Sequence, residues 1–373
     1  MNLRENPIVP LKLLSERAMG FFFNSWKRIP KKEFVIGSKS KTQSVAVELG
    51  QSHLLVLGVE RKMGKPEICH FRLEPRPPTA EAISERLKTI FKEEGLESRG
   101  VHTALKSSGM VIRILVFPQM KRSELASMLR YEAEKYIPFK MNEVYFDFEV
   151  LRENIPSGGE TKKMEMLLVA VKQGEIRELL EIFQKAGIEI GVVDVGAFAF
   201  ANLLEFLSTD LKTTPTGFLD VGTDTSTFGI ILRGKPIFIR DISFGGGDIL
   251  KLLKRKLVLD TDTVLAIQKG ESRMTPEYKA VVEQALSGLL NELRLSLGYY
   301  LDHVSDAELV QTLYIAGRGC RFIPDPGYLE REIKIPTRRP DIFSQVGVAS
   351  HLDKSALKKN EDLLPPILGL CLR

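Results

Sequence analysis

The chain has 373 residues and a mass of 41.9 kDa, enough for two or three compact units at roughly 150 residues each. With 43% hydrophobic and 27% charged residues it has the composition of a folded globular protein, which excludes a disordered, collagenous or disulfide-stapled chain. Fifty-three Lys and Arg against 48 Asp and Glu leave a net charge of +5, too little to indicate a nucleic-acid partner, and none is expected.

Residues 1–41 hold nine Lys or Arg against three Glu, so this short segment carries a net +6. Leu11, Leu14, Ala18, Phe22, Trp26 and Ile29 recur there at helical spacing, and a helix over residues 10–29 sets them on one stripe between Pro10 and Pro30. A basic helix with Phe and Trp on its apolar face suits either peripheral contact with an anionic membrane surface or docking on protein.

After Lys41 the pattern turns to strands: Ser44 to Leu49, His53 to Glu60 and Ile68 to Leu73, with Gly50 and Met63-Gly64 as turns. Residues 79–94 then read as an amphipathic helix, Thr103 to Phe117 as two strands, and Lys121 to Tyr136 as a helix ended by Pro138. Two strands (Tyr145 to Leu151, Glu165 to Val171) flank a polar loop, and a helix runs from Gly174 to Gly187. Strands alternating with helices predict an α/β protein.

The second half opens as the first does. Gly217 to Asp220, Thr227 to Leu232 and Pro236 to Ile242 form another meander, which predicts duplicated lobes, 44–215 and 216–373, facing each other across a cleft. Helical sequence over 276–303 and a strand, Thr312 to Ala316, follow.

Residues 218–231 carry the most chemistry. A strand ending at Asp220, a turn at Gly222 and the hydroxyls of Thr223, Thr225, Ser226 and Thr227 are able to surround a phosphate, with Asp220 holding a hydrated Mg²⁺. The same pattern also serves as an ordinary hairpin turn. The first copy, Glu48-Leu-Gly50-Gln-Ser-His53, is poorer, and Glu48 reads either as a metal ligand or as a strand-end residue. Gly245, Gly246 and Asp248 precede a helical stretch, so bare backbone and a carboxylate meet a sugar or phosphate there; Gly317-Arg318-Gly319 follows a strand and lets a base lie against the main chain.

The order of the Asp220-x-Gly222-x-x-Thr225 loop, the Gly245 to Asp248 turn and the Gly317 to Gly319 loop resembles the actin-like ATPase superfamily. The string Tyr131-Glu-Ala-Glu-Lys-Tyr-Ile-Pro-Phe139, with Tyr145 to Leu151, Gly191 to Val195 and the terminal Gly369-Leu-Cys-Leu-Arg373, resembles more narrowly the PilM family of pilus-assembly proteins and its FtsA-like relatives. That resemblance covers residues 44–373 and implies two lobes with a small subdomain, about residues 76–172, inserted in the first. It implies a cytoplasmic platform, peripheral on the inner membrane, that assembles in a ring. Such a platform binds ATP and Mg²⁺ in the cleft and the cytoplasmic tail of a PilN-like bitopic inner-membrane protein, with slow hydrolysis at most. Glu48 in place of Asp, a first loop without the usual Lys, and Arg318 at the middle glycine position imply weakened nucleotide affinity. An ATP hydrolase or phosphotransferase, a polymerising division-type homologue and a nucleotide-free scaffold are the other readings of the same fold.

Cys69, Cys320 and Cys371 fit no metal-ligand spacing and read as buried free thiols, which suits a reducing cytoplasm. No run of about 18 apolar residues and no signal-peptide pattern is expected to take the chain into or across a membrane.

Overall fold

The computed structural model describes residues 43–373 other than 99, 106–108, 157–161, 209, 210, 212, 269–274, 305 and 306. The stripe over residues 10–29 lies outside the described residues.

Two sheets repeat one topology. In the first, Gln43–Leu49 (β1), His53–Lys62 (β2) and Lys65–Pro75 (β3) form an antiparallel meander, and Val101–Leu105 (β4) joins β1 in parallel. Ile190–Val195 (β8) then joins β4 in parallel, giving the order β3-β2-β1-β4-β8. In the second sheet, Thr216–Val221 (β9), Ser226–Leu232 (β10) and Lys235–Ile242 (β11) form the meander. Thr312–Ala316 (β12) and Thr337–Arg338 (β13) continue it in parallel, in the order β11-β10-β9-β12-β13. The duplicated meanders and the actin-like architecture expected from the sequence are those of the structure.

Between β4 and β8 stands a separate three-stranded antiparallel sheet, ordered β5-β7-β6, of Met110–Pro118 (β5), Val144–Ile155 (β6) and Lys163–Lys172 (β7). Helix Arg122–Glu132 and Ile137 cover one face of it through Leu125 and Leu129, against Phe117, Phe148 and Met166. The helix stops short of the expected Tyr136, and residues Ala133–Lys135 tighten to a 3-10 turn ahead of Pro138. Because β4 pairs with β1 and helix Ala80–Glu93 packs on the first sheet's core, residues 80–105 belong to that sheet's layer, and the insert proper begins near Met110.

Alternate residues of β1 face opposite layers, as a sheet covered on both sides requires. Val45 and Val47 pack with Ile83, Leu87 and Phe183 on one side, and Ala46 packs with Leu203, Ile367 and Leu368 on the other. Helix Gly196–Leu207 (GAFAFANLLEFL) is apolar almost all round because it is buried between the lobes, and Phe200 meets Phe218 of β9 at 5.2 Å between ring centroids. The tail of the chain returns to the first lobe. Gly347–Val348 (β14) pairs with β3, and helix Leu364–Cys371 packs on helix Gly196–Leu207, crossing the division at residue 216 that the meanders suggest.

Gly369 explains that crossing. A Cβ there would lie 1.7 Å from the Ala199 carbonyl oxygen, so only glycine lets the two helices touch. Cys69, Cys320 and Cys371 are buried free thiols, and burial pushes the Cys371 thiol up to about 12. Among the described residues no helix is long and apolar enough to cross a membrane.

Candidate functional site

The turns that close the two meanders face each other, and with the loop after β12 they enclose a cavity of about 110 Å³. Glu48, Gly50, Gln51 and His53 line it from the first lobe; Asp220, Gly222, Thr223, Thr225 and Thr227 from the second; Gly317 and Arg318 from the third loop. Asp241 of β11, Asp362, and Leu105 and Gly196 at the C-terminal ends of the first sheet's parallel strands complete the wall. Ligand sites in α/β folds occur at such strand ends.

Strand pairing explains the convergence. Parallel β9 and β12 set Asp220 beside Ala316, which brings the loop at 317 over the Asp220 carboxylate. Gly317 takes φ +89° there, and a Cβ on it would lie 2.4 Å from Asp220 Oδ1, so the site needs glycine twice over, for backbone and for space. Its N–H donates to the Asp362 carbonyl at 2.7 Å. The Asp362 carboxylate in turn receives two bonds from the Arg321 guanidinium, at 2.7 and 2.9 Å. Asp362 is buried and the Arg321 side chain is only 12% exposed, so this pair pins the third loop to the C-terminal segment.

Glu48 and Asp220 are both 7% exposed on the same cavity, one from each lobe. Gly222 closes its turn by donating to the Thr225 carbonyl at 3.0 Å. Gly245, Gly246, Asp248 and Gly319, grouped with the site by sequence, stand behind the second loop and do not line the cavity. Gly246 and Gly247 donate to the carbonyls of Gly222 and Thr223, and Asp248 accepts the Gly245 N–H at 3.0 Å as a helix cap. A Cβ on Gly245 would lie 2.3 Å from the Thr223 carbonyl oxygen. This glycine turn therefore shapes the second loop, using helix N–H groups that the sequence reading offers to a ligand.

The two loops touch directly. Asp224 donates its backbone N–H to Gln51 Oε1 at 3.1 Å, Ser52 and Thr223 share a hydroxyl contact at 3.4 Å, and Arg318 Nη1 donates to Ser52 at 3.3 Å. Arg318 thus reaches toward the loops. Burial and the nearby Arg321 charge pull its guanidinium below its ordinary value, against the opposite pull of Asp362. Asp241 accepts from Thr227 at 2.8 Å, and burial holds its carboxyl above the usual range.

The donor set suits a magnesium-bound polyphosphate: two buried carboxylates on opposite walls, threonine hydroxyls, a guanidinium and a glycine turn. Gln51, Ser52, Asp241 and Asp362 are site residues that sequence reasoning missed. Gln51 and Ser52 lie inside the quoted first loop. Asp241 and Asp362 carry no local signal, since only tertiary pairing brings them to the cleft.

The model of the family "Type IV pilus assembly protein PilM" matches residues 71–373. A solved structure titled "PilM-PilN type IV pilus biogenesis complex" superposes with a TM-score of 0.76 at 23% identity, covering 88% of this chain and 98% of that one. The ethanolamine utilization protein EutJ from Carboxydothermus hydrogenoformans superposes with a TM-score of 0.53 at 14% identity, covering 88% and 89% of the two chains. These likenesses show the actin-like fold.

Proposed function

The chain belongs to the type IV pilus assembly protein PilM family, and on that premise we propose that it is an assembly platform that holds a nucleotide between its lobes and a membrane protein's tail on its inserted subdomain. The observation that carries the first half is the meeting of Glu48 and Asp220, each buried, on one cavity walled by both hairpin turns. Asp220 and Glu48 would hold Mg²⁺ through its hydration shell. Thr223 and Thr225 would donate to phosphate, and Arg318 would neutralise charge. The metal, when bound, supplies charge neutralisation between the phosphates and the two carboxylates. The Gln51, Ser52, Thr223 and Asp224 contacts must part for entry, so affinity is modest and the nucleotide acts as a strut between lobes. No residue is assigned as a general base, and turnover is slow or nil.

The second half takes its support from the solved complex of a PilM with PilN and from the insert itself. Tyr131, 87% exposed on helix Arg122–Glu132, and Val116, 49% exposed on edge strand β5, are apolar anchors on a subdomain with two edge strands, the arrangement that accepts an extended peptide. The platform would sit at the cytoplasmic face of the inner membrane through that tail, with the basic segment at residues 10–29 as a second tether, and self-association in a ring would multiply the weak contacts.

Fluorescence anisotropy with a labelled cytoplasmic-tail peptide of the cognate PilN-like protein tests the partner, and calorimetric titration with ATP in the presence and absence of Mg²⁺ tests the cleft. Saturable tail binding weakened about tenfold or more by Tyr131→Asp is expected, with one Mg²⁺-dependent ATP site. Tail binding indifferent to Tyr131 and Val116, or no ATP heat with Mg²⁺, overturns the corresponding half.

A further inference from the structure

The first loop carries an imidazole that none of these contacts employs. His53 opens β2, is 7% exposed and lines the cleft cavity. Its Nε2 stands 3.7 Å from Glu48 Oε1, beyond hydrogen-bond reach, and neither ring nitrogen has a hydrogen-bond partner within the protein. An imidazole always carries at least one N–H, and leaving a buried donor unpaired costs about 1–3 kcal/mol.

The loop is shaped to admit this ring. A Cβ on residue 50 would lie 2.5 Å from Cε1, 2.7 Å from Nε2 and 2.8 Å from Nδ1, so Gly50 is what allows the polar edge of the imidazole into the turn. An apolar plug has no need of that edge. Leu or Met would fill the space with no unpaired donor. Two carboxylates on the cavity also make it unfavourable for a phosphate unless donors face it, and the first loop offers an apolar Leu55 two residues on, buried in the core.

We propose that His53 is a phosphate-binding residue of the cleft, donating a ring N–H to a phosphate oxygen of the bound nucleotide once the loop contacts part. Nε2 faces the Glu48 carboxylate, the wall given to the metal, at 3.7 Å, which leaves Nδ1 for the phosphate. This rests on the nucleotide reading and adds to it the donor through which the first lobe grips phosphate.

The test is calorimetric titration of Mg²⁺ and ATP into the full chain, His53→Leu and His53→Asn, with thermal melts showing that each variant folds. Asparagine reproduces the Nδ1 donor and leucine only the volume. His53→Leu is expected to bind about tenfold more weakly, one lost hydrogen bond to a charged group, and His53→Asn within about threefold of the unsubstituted chain. Equal or tighter binding by His53→Leu makes the ring a plug and overturns the proposal. Equal losses in both variants assign the effect to packing and overturn it too. No binding by the unsubstituted chain removes the nucleotide reading and this proposal together, whereas binding indifferent to His53 removes this proposal alone.

Discussion

Gln51 and Asp224 join the two lobes across the cleft: the side-chain amide oxygen of the first accepts the backbone N–H of the second at 3.1 Å. The contact spends, on a side chain of the protein, a main-chain donor at the turn where a phosphate is expected, and Ser52 adds its own bonds to Thr223 and Arg318. Ligand and closure therefore compete for the same groups.

It follows that Gln51→Ala should bind nucleotide more tightly than the unsubstituted chain. One exposed hydrogen bond is worth about 0.5–1.5 kcal/mol, so a gain of about two- to tenfold in ATP affinity is expected by calorimetry. A loss of affinity would mean that Gln51 serves the ligand directly.

The third loop is anchored from a distance. Arg321 and Asp362 form a two-bond pair with little exposure of either side chain, and Asp362 also receives the Gly317 N–H on its carbonyl. Asp362→Ala leaves the guanidinium uncompensated and should lower stability by about 3 kcal/mol in urea unfolding. The double variant Arg321→Leu, Asp362→Ala should recover part of that loss.

Asp194 is fully buried at the end of β8, where its Oδ1 accepts the Val195 N–H at 2.7 Å and its Oδ2 has no hydrogen-bond partner. Burial raises its carboxyl from 3.8 to about 6, partly offset by the Arg373 charge. The folded chain therefore keeps the proton to higher pH than the unfolded chain does. Stability falls as pH rises from about 4 to about 6, and the full cost of roughly 3 kcal/mol is present above that window. Asp194→Asn should stabilise the protein by about 2 kcal/mol at pH 7.5, with the gain shrinking toward pH 4.5. Thermal unfolding at both pH values reads the difference, and a gain independent of pH would contradict the assignment.

Gly369→Ala should be among the most damaging single-methyl changes in the chain, because the Ala199 carbonyl 1.7 Å from the new Cβ belongs to backbone and cannot swing aside. A loss of about 3 kcal/mol or more is expected in chemical unfolding. A loss under about 1 kcal/mol would show that the two helices separate freely.

The meanders were legible in the sequence because alternating apolar runs and glycine turns are local signals, and β12 at Thr312–Ala316 matches its expected bounds. Less legible was what pairing over long distances decides. Helix Gly196–Leu207 has no amphipathic face to announce it, since both lobes bury it. The closing Gly369-Leu-Cys-Leu-Arg373 string says nothing by itself about a helix that packs on the first sheet. At the site, Asp220, Gly222, Thr223 and Thr225 could be picked out because turn chemistry is written in consecutive residues. The role of Gly245 to Asp248 could not, because whether a glycine turn faces a ligand or a neighbouring loop depends on where Thr223 lies.

The most direct measurement is a crystal structure of the chain grown with Mg²⁺ and a non-hydrolysable ATP analogue. Phosphate density between residues 50–53 and 222–225, metal density beside Asp220, and Gln51 parted from Asp224 are the predicted result. A cleft free of density with that bond intact, at analogue concentrations far above those of a cell, would contradict the account.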